Sequence, residues 1–63
     1  MKPKSLAELT EDDFWAYETV RVGGDYNMIT QTRDAARIAD LDLETYFGVL
    51  NNYSALKAKY KDA

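Results

Sequence analysis

The chain has 63 residues, neither cysteine nor histidine, and 11 acidic against 8 basic side chains, for a formal net charge of −3. It can therefore form no disulfide and no Cys/His metal site, and nucleophilic catalysis lacks a histidine base. The acidic surplus makes it a poor general binder of phosphate. We expect one small domain without catalytic residues, cofactor or metal. A partner chain is the remaining means of stabilising so small a core.

The N-terminal residues 1–4 are basic, and no long apolar stretch follows them. A secretory signal needs such a stretch, and a membrane span needs about 20 predominantly apolar residues. We therefore expect a flexible N-terminus over 1–4 and a single helical domain over 5–61. The expected location is the cytoplasm, without contact to a membrane.

Capping signals predict where the first helices begin. Ser5 is followed three residues later by glutamate, a capping box that is typical of a short helical turn. Thr10 precedes the acidic run 11–13, and acidic side chains favour the positive end of a helix. We place the first long helix at 11–22. Gly23-Gly24 ends it, because glycine enters left-handed conformations readily.

The remaining chain predicts two further helices. The second spans about 27–39, is capped by Asp25 or Asn27, and carries a stripe of alanines that another helix can approach closely. The third spans about 43–60 and begins after Asp42, a suitable N-cap. Since no segment has the character of a strand, the expected fold is an all-α, compact three-helix bundle with a short N-terminal helical turn.

One stripe of the third helix repeats with alternating three- and four-residue steps and consists of Tyr46, Val49, Tyr53, Leu56 and Tyr60. Such spacing is typical of a heptad seam. The seam either packs on the first helix of the same chain or forms a homodimer interface with tyrosine hydroxyls at its edge. A break at Asn51-Asn52, giving two shorter helices, is a further interpretation of the same residues.

Trp15 lies on the opposite side of the first helix from its broad apolar face. Either Leu6 and Leu9 fold over the indole, or Trp15 is exposed and binds a partner. Cover is the simpler interpretation, since an exposed apolar patch promotes aggregation.

The acidic residues between positions 8 and 18 also allow two interpretations. They are solvated charges that cap a helix and maintain solubility, or they form a surface for a basic partner. The candidate partner-binding residues are Glu11, Asp12, Trp15, Glu18, Tyr53, Leu56 and Tyr60.

Residues 35–49 match a helix-turn-helix pattern. A small Ala36 precedes the turn residue Asp40 by four positions, and apolar residues follow at the expected spacing. The start of the would-be recognition helix carries Asp42 and Glu44, which repel phosphate. The sequence therefore predicts helix-turn-helix-like geometry in the second and third helices with little affinity for nucleic acid. A small DNA-binding transcription regulator is the alternative function.

Four short motifs lie in the C-terminal two-thirds of the chain, namely Asn27-Met28, Ala35-Ala36, Leu43-Glu44-x-Tyr46 and Asn52-Tyr53-x-x-Leu56. With these motifs the chain resembles small uncharacterised accessory proteins encoded by tailed phages and prophages. The resemblance implies a small protein made inside an infected bacterium, where such proteins often act by binding a host or phage protein. The leading hypothesis is therefore a non-enzymatic protein-binding module.

Overall fold

The computed structural model describes residues 2–24, 27 and 29–62, and these contain helices and turns but no strand. The helical elements are a 3₁₀ turn (Leu6–Glu8), α1 (Glu11–Gly23), α2 (Thr32–Ile38), α3 (Leu43–Asn51), α4 (Tyr53–Leu56) and a π-helical turn (Lys57–Lys61). α1 packs on α2 and α3, which also pack on each other, within a radius of gyration of 10.6 Å. The predicted all-α fold class is confirmed.

The two predicted helix starts near the N-terminus are also confirmed. The Glu8 carboxylate accepts from the backbone N–H and the hydroxyl of Ser5 at 3.3 and 3.0 Å. Thr10 Oγ1 accepts from the Asp13 N–H at 3.2 Å, and the Asp13 carboxylate accepts from the Thr10 N–H at 3.1 Å. α1 ends where glycine was expected to end it, since Gly24 is left-handed with φ 75°.

The second helix begins later than the predicted 27–39, because a separate turn precedes it. The Asn27 side chain accepts from the backbone N–H groups two and three residues further on, at 2.9 and 3.1 Å. Gln31 then leaves helical geometry with φ −106° and ψ 44°, so α2 starts only at Thr32. Asn27 thus caps the turn and not α2 itself. The alternative cap, Asp25, lies outside the described residues.

A tight turn joins α2 to α3. Asp40 adopts φ 59°, its N–H donates to the Arg37 carbonyl at 3.1 Å, and the Leu41 N–H donates to the Ala36 carbonyl at 2.9 Å. These two bonds are those of a Schellman motif, with aspartate where glycine is usual. Asp42 then caps α3 as predicted, since its carboxylate accepts the N–H three residues on at 2.8 Å.

The prediction of one continuous helix over 43–60 is wrong, because the helix is interrupted at Asn52. The backbone N–H and the side-chain amide of Asn52 both donate to the Gly48 carbonyl, at 3.1 and 2.9 Å. Asn52 itself lies at φ −113° and ψ 20°. The Asn51-Asn52 break is therefore the correct interpretation, and α4 starts as a separate short helix at Tyr53.

The tyrosine seam packs inside the chain. The buried core consists of Leu9, Phe14, Tyr17, Val20, Ala35, Ala36, Tyr46, Val49 and Leu56, with Tyr53 and Tyr60 partly buried against it. The Tyr53 ring centroid lies 5.8 Å from those of both Phe14 and Tyr17 on α1. The seam therefore packs on the first helix of the same chain, which is the first of the two interpretations. Its most buried residues are not available to a second chain.

The N-terminal segment is attached to α3 from Lys4 onward. The Lys4 N–H donates to the Glu44 carbonyl at 3.1 Å. A Cβ added at Gly48 would stand 2.8 Å from the Lys4 carbonyl oxygen and 3.2 Å from Leu9. Only glycine allows this close approach, which also buries Leu9. Lys4, placed in the flexible N-terminus by the sequence, therefore contacts the folded domain.

Candidate interaction site

The structure separates the seven predicted partner-binding residues into two groups. Four of them lie in the core or against it, namely Glu18, Tyr53, Leu56 and Tyr60. The other three lie on the exposed N-terminal part of α1, namely Glu11, Asp12 and Trp15. The first group holds the fold together, and only the second lies at the exposed surface where a partner can contact it.

Glu18 is a buried carboxylate with donors from two parts of the chain. It is 3 % exposed and accepts from the Tyr53 hydroxyl at 2.9 and 3.0 Å, from Lys61 Nζ at 2.9 Å and from Arg21 Nε. The Arg21 guanidinium also lies 5.3 Å from the centre of the Tyr53 ring. Glu18 is therefore not part of an exposed acidic surface, as the sequence had suggested, but joins α1 to the C-terminal segment.

The donors around Glu18 decide its protonation. Burial alone would raise the pKa of Glu18, but the hydrogen bonds from Arg21, Lys61 and Tyr53 outweigh burial and lower the pKa to about 2. Burial raises the pKa of the neighbouring Tyr17 to about 12. Near neutral pH the Glu18 carboxylate is therefore ionised and can bind its donors, which joins α1 to the C-terminal segment. The Tyr17 hydroxyl is neutral at the same pH.

The π-helical turn brings Lys61 to this carboxylate. The Asp62 N–H donates to the Lys57 carbonyl at 2.8 Å, an i to i+5 bond. In an α-helix Lys61 would lie about 140° around the axis from Leu56, at about 100° per residue. A π turn rotates less per residue, so Lys61 comes closer to the side of Leu56 that contacts α1. No feature of the sequence alone indicates this turn.

Trp15 is held in one orientation although it is exposed. Its indole N–H donates to Glu11 at 3.1 Å, and its ring meets Phe14 edge-to-face at a centroid distance of 5.0 Å. Trp15 is 39 % exposed and Leu6 40 %, while Leu9 lies beside α3. Leu6 and Leu9 therefore do not cover the indole as expected. The alternative interpretation, an exposed Trp15, is the correct one.

The carboxylates beside the indole are uncompensated. Within the ranges that the structure describes, no lysine or arginine lies within ion-pair distance of Glu11 or Asp12. The basic residue on the same helix, Arg21, is bound to Glu18. Glu11, Asp12 and Trp15 together form an exposed aromatic side chain with an acidic border, which we call the Trp15 surface.

A second surface lies at the turn between α2 and α3. It is an open groove of about 690 Å³ lined by Arg33, Ala36, Arg37, Asp40, Leu41, Asp42 and Leu43. We call it the arginine groove. The helical i, i+4 spacing of Arg33 and Arg37 could have indicated the basic border. Asp40 shapes the other border. The sequence indicated it as a turn residue, but its left-handed conformation is one that glycine usually adopts.

Neither surface has the composition of a metal site, because the described residues hold no group of three or more potential metal-ligating side chains. Among the described helices, none combines the length and the apolar character required to cross a bilayer. Comparison with protein-family models, with curated proteins and with solved structures finds no match for this chain. A function therefore has to be inferred from these two surfaces themselves.

Proposed function

We propose that the chain is a non-enzymatic protein-binding module and that its Trp15 surface binds a basic protein. The observation that carries the proposal is an exposed, oriented indole beside two carboxylates that form no ion pair with the described residues. Tryptophan is among the residues most enriched at the energetic centres of protein interfaces. A polar border around an apolar centre is the usual arrangement of such interfaces.

The fixed position of the indole favours tight binding. A side chain that is already immobilised loses little conformational entropy when a partner covers it. Glu11 and Phe14 fix Trp15 in this way through a hydrogen bond and a ring contact. A lysine or arginine of the partner would make two favourable interactions, an ion pair with Glu11 or Asp12 and a cation–π contact with the indole.

The resemblance to phage-encoded accessory proteins supports a partner from the phage or from its bacterial host, met in the cytoplasm. The acidic character of the Trp15 surface supports a basic protein and argues against nucleic acid, whose phosphates it would repel. The absence of histidine and cysteine from the chain supports the non-enzymatic part of the proposal.

A small helix-turn-helix regulator is the second candidate, and the turn at Asp40 favours it. α2 and α3 pack on each other across a left-handed residue, which is compatible with helix-turn-helix geometry. The acidic Asp42 and Glu44 at the start of α3 weigh against contact with a DNA backbone. Titration with duplex DNA at increasing salt tests it, since phosphate contacts weaken steeply as salt rises.

Trp15 supplies its own probe for the leading proposal, because it is the only tryptophan in the chain. A peptide rich in lysine and arginine should change the Trp15 fluorescence on binding, and higher salt should weaken the binding. An equally long peptide rich in aspartate and glutamate should leave the fluorescence unchanged. A response to both peptides alike, or to neither, contradicts the proposal.

Matched variants locate the binding surface by calorimetry. Trp15→Ala and the pair Glu11→Lys with Asp12→Lys should each weaken binding of the basic peptide at least tenfold. Val22→Ala is the control, since Val22 is 67 % exposed on the same helix but lies at its other end. Equal losses for Val22→Ala and Trp15→Ala would refute a binding centre at Trp15. A pull-down from the bacterial host then identifies the natural partner, which must show the same dependence on these variants.

A further inference from the structure

We infer that the Trp15 surface of one copy of this chain binds the arginine groove of a second copy. The inference rests on the proposed function, because it identifies a basic partner surface within the chain itself. The two surfaces share no residue, so one molecule can present both at the same time.

Charge complementarity is the first argument. Glu11 and Asp12 lack a basic partner in the described part of the chain, and Arg33 there has no carboxylate within ion-pair distance. Arg37 lies 3.7 Å from Asp34, but both side chains are largely exposed, so this pair is weak. The acidic border of one copy and the basic border of another can therefore compensate each other.

The C-terminal lysines are less suitable partners for the Trp15 surface. Lys61 donates to the buried Glu18, and Lys57 lies 3.7 Å from Asp62. Lys59 lies over the ring of Tyr60 at 5.2 Å. Each of these cations has an interaction within its own chain. Arg37 has a comparable pair with Asp34 but is more exposed than Lys57, and Arg33 forms no ion pair with the described residues.

Shape and polarity supply the second argument. Ala36, Leu41 and Leu43 give the groove an apolar lining between its charged borders. The groove, about 690 Å³ in volume, is open to solvent, so an exposed side chain of a second copy can reach its lining. An exposed aromatic side chain beside carboxylates thus faces an apolar groove beside arginines.

The aspartates of the groove fix the orientation of this contact. Asp40 and Asp42 are both exposed, and Asp42 also accepts from the Thr45 N–H. Both would repel Glu11 and Asp12 of the second copy. The acidic border must therefore lie on the arginine side, which permits a single docking direction. Because each copy carries both surfaces, each copy can take part in two such contacts.

Charge exchange tests the inference by analytical ultracentrifugation. One variant carries Glu11→Lys and Asp12→Lys, and the other carries Arg33→Glu and Arg37→Glu. Each alone should sediment as a monomer, because the two borders that would meet, at residues 11–12 and at residues 33 and 37, then carry charges of the same sign. An equimolar mixture should associate again, since each altered surface meets its complement. Circular dichroism confirms that both variants stay helical, as substitution at these exposed positions should allow.

Trp15→Ala should weaken self-association at least tenfold, whereas Val22→Ala should leave it unchanged. Failure of the mixture to associate, or a wild-type chain that remains monomeric at high micromolar concentration, overturns the inference. The proposed function is judged separately by the basic peptide. A monomeric wild type that still binds this peptide through Trp15 refutes the self-association alone, and loss of both results refutes both proposals.

Discussion

Two glutamates on α1 illustrate how differently the two ends of one helix are used. Glu11 and Glu18 are seven residues apart, so on an α-helix they point in nearly the same direction, within about 20°. Glu11 is exposed and accepts a single bond from Trp15. Glu18 is 3 % exposed and surrounded by donors. The orientation around the helix is the same, but the environment is opposite.

The difference comes from the far end of the chain. α4 begins after the break at Asn52, and the π-helical turn that follows it places Lys61 beside Glu18 on α1. Tyr53 covers the same level from α4. Tyr53 and Tyr60 also reach Phe14, but Glu11 and Trp15 in the same part of α1 remain exposed. Residues on one side of a helix can therefore differ in exposure along its length. The covered level, at Glu18, stabilises the fold, while the uncovered level, at Glu11 and Trp15, is free to bind.

The largest effect is expected when the cover itself is removed. Leu56 on α4 is fully buried in the core. Leu56→Asp places an unpaired charge in the core and should cost more than about 4 kcal/mol, enough to unfold so small a domain. Circular dichroism should show loss of helix at every protein concentration.

Ser54→Asp is the matched control, because Ser54 is exposed on the same short helix. It should leave the spectrum and the melting temperature nearly unchanged. If the Leu56→Asp protein stays helical and only becomes monomeric, the tyrosine seam is an intermolecular contact. The comparison between covered and uncovered levels would then be invalid.

Local signals in the sequence identify much of this architecture but not the cover. Ser5, Thr10 and Asp42 are found as caps because a cap depends on a side chain and a backbone a few residues away. Glu18 could not be distinguished from Glu11, because its burial depends on Tyr53 and Lys61, far along the chain. The exposure of Trp15 likewise follows from Leu9 packing on α3, a contact that no local pattern specifies.

A smaller effect, and one that depends on pH, is expected at Glu18. Its pKa is lowered from the ordinary 4.5 to about 2 in the folded chain. The ionised group therefore stabilises the fold above pH 4.5, and this stabilisation is lost as the pH falls towards 2. It amounts to roughly 2 kcal/mol, less than the full shift implies because Arg21 and Lys61 are partly exposed.

Glu18→Gln should therefore lower the free energy of unfolding by about that amount at pH 7, and the difference from wild type should vanish near pH 2. Denaturant titrations at several pH values measure it. Glu11→Gln is the control at the uncovered level and should cost less than about 0.5 kcal/mol at any pH, because its interaction is exposed. Equal costs for the two variants would show that the two levels do not differ.

The smallest of these effects concerns Thr10, which stabilises the uncovered end of α1. Its Oγ1 accepts from the Asp13 N–H, one of the amides that a helix start leaves without a partner. Thr10→Ala should cost about 1 kcal/mol, a decrease of about 4–8 °C in melting temperature for a domain of this size. Thr19→Ala is the control, since the Thr19 hydroxyl only donates to the Trp15 carbonyl within the same helix and should cost almost nothing. An unchanged melting temperature for Thr10→Ala would show that contacts of Leu9 with α3, and not the cap, hold the first turn that presents Trp15.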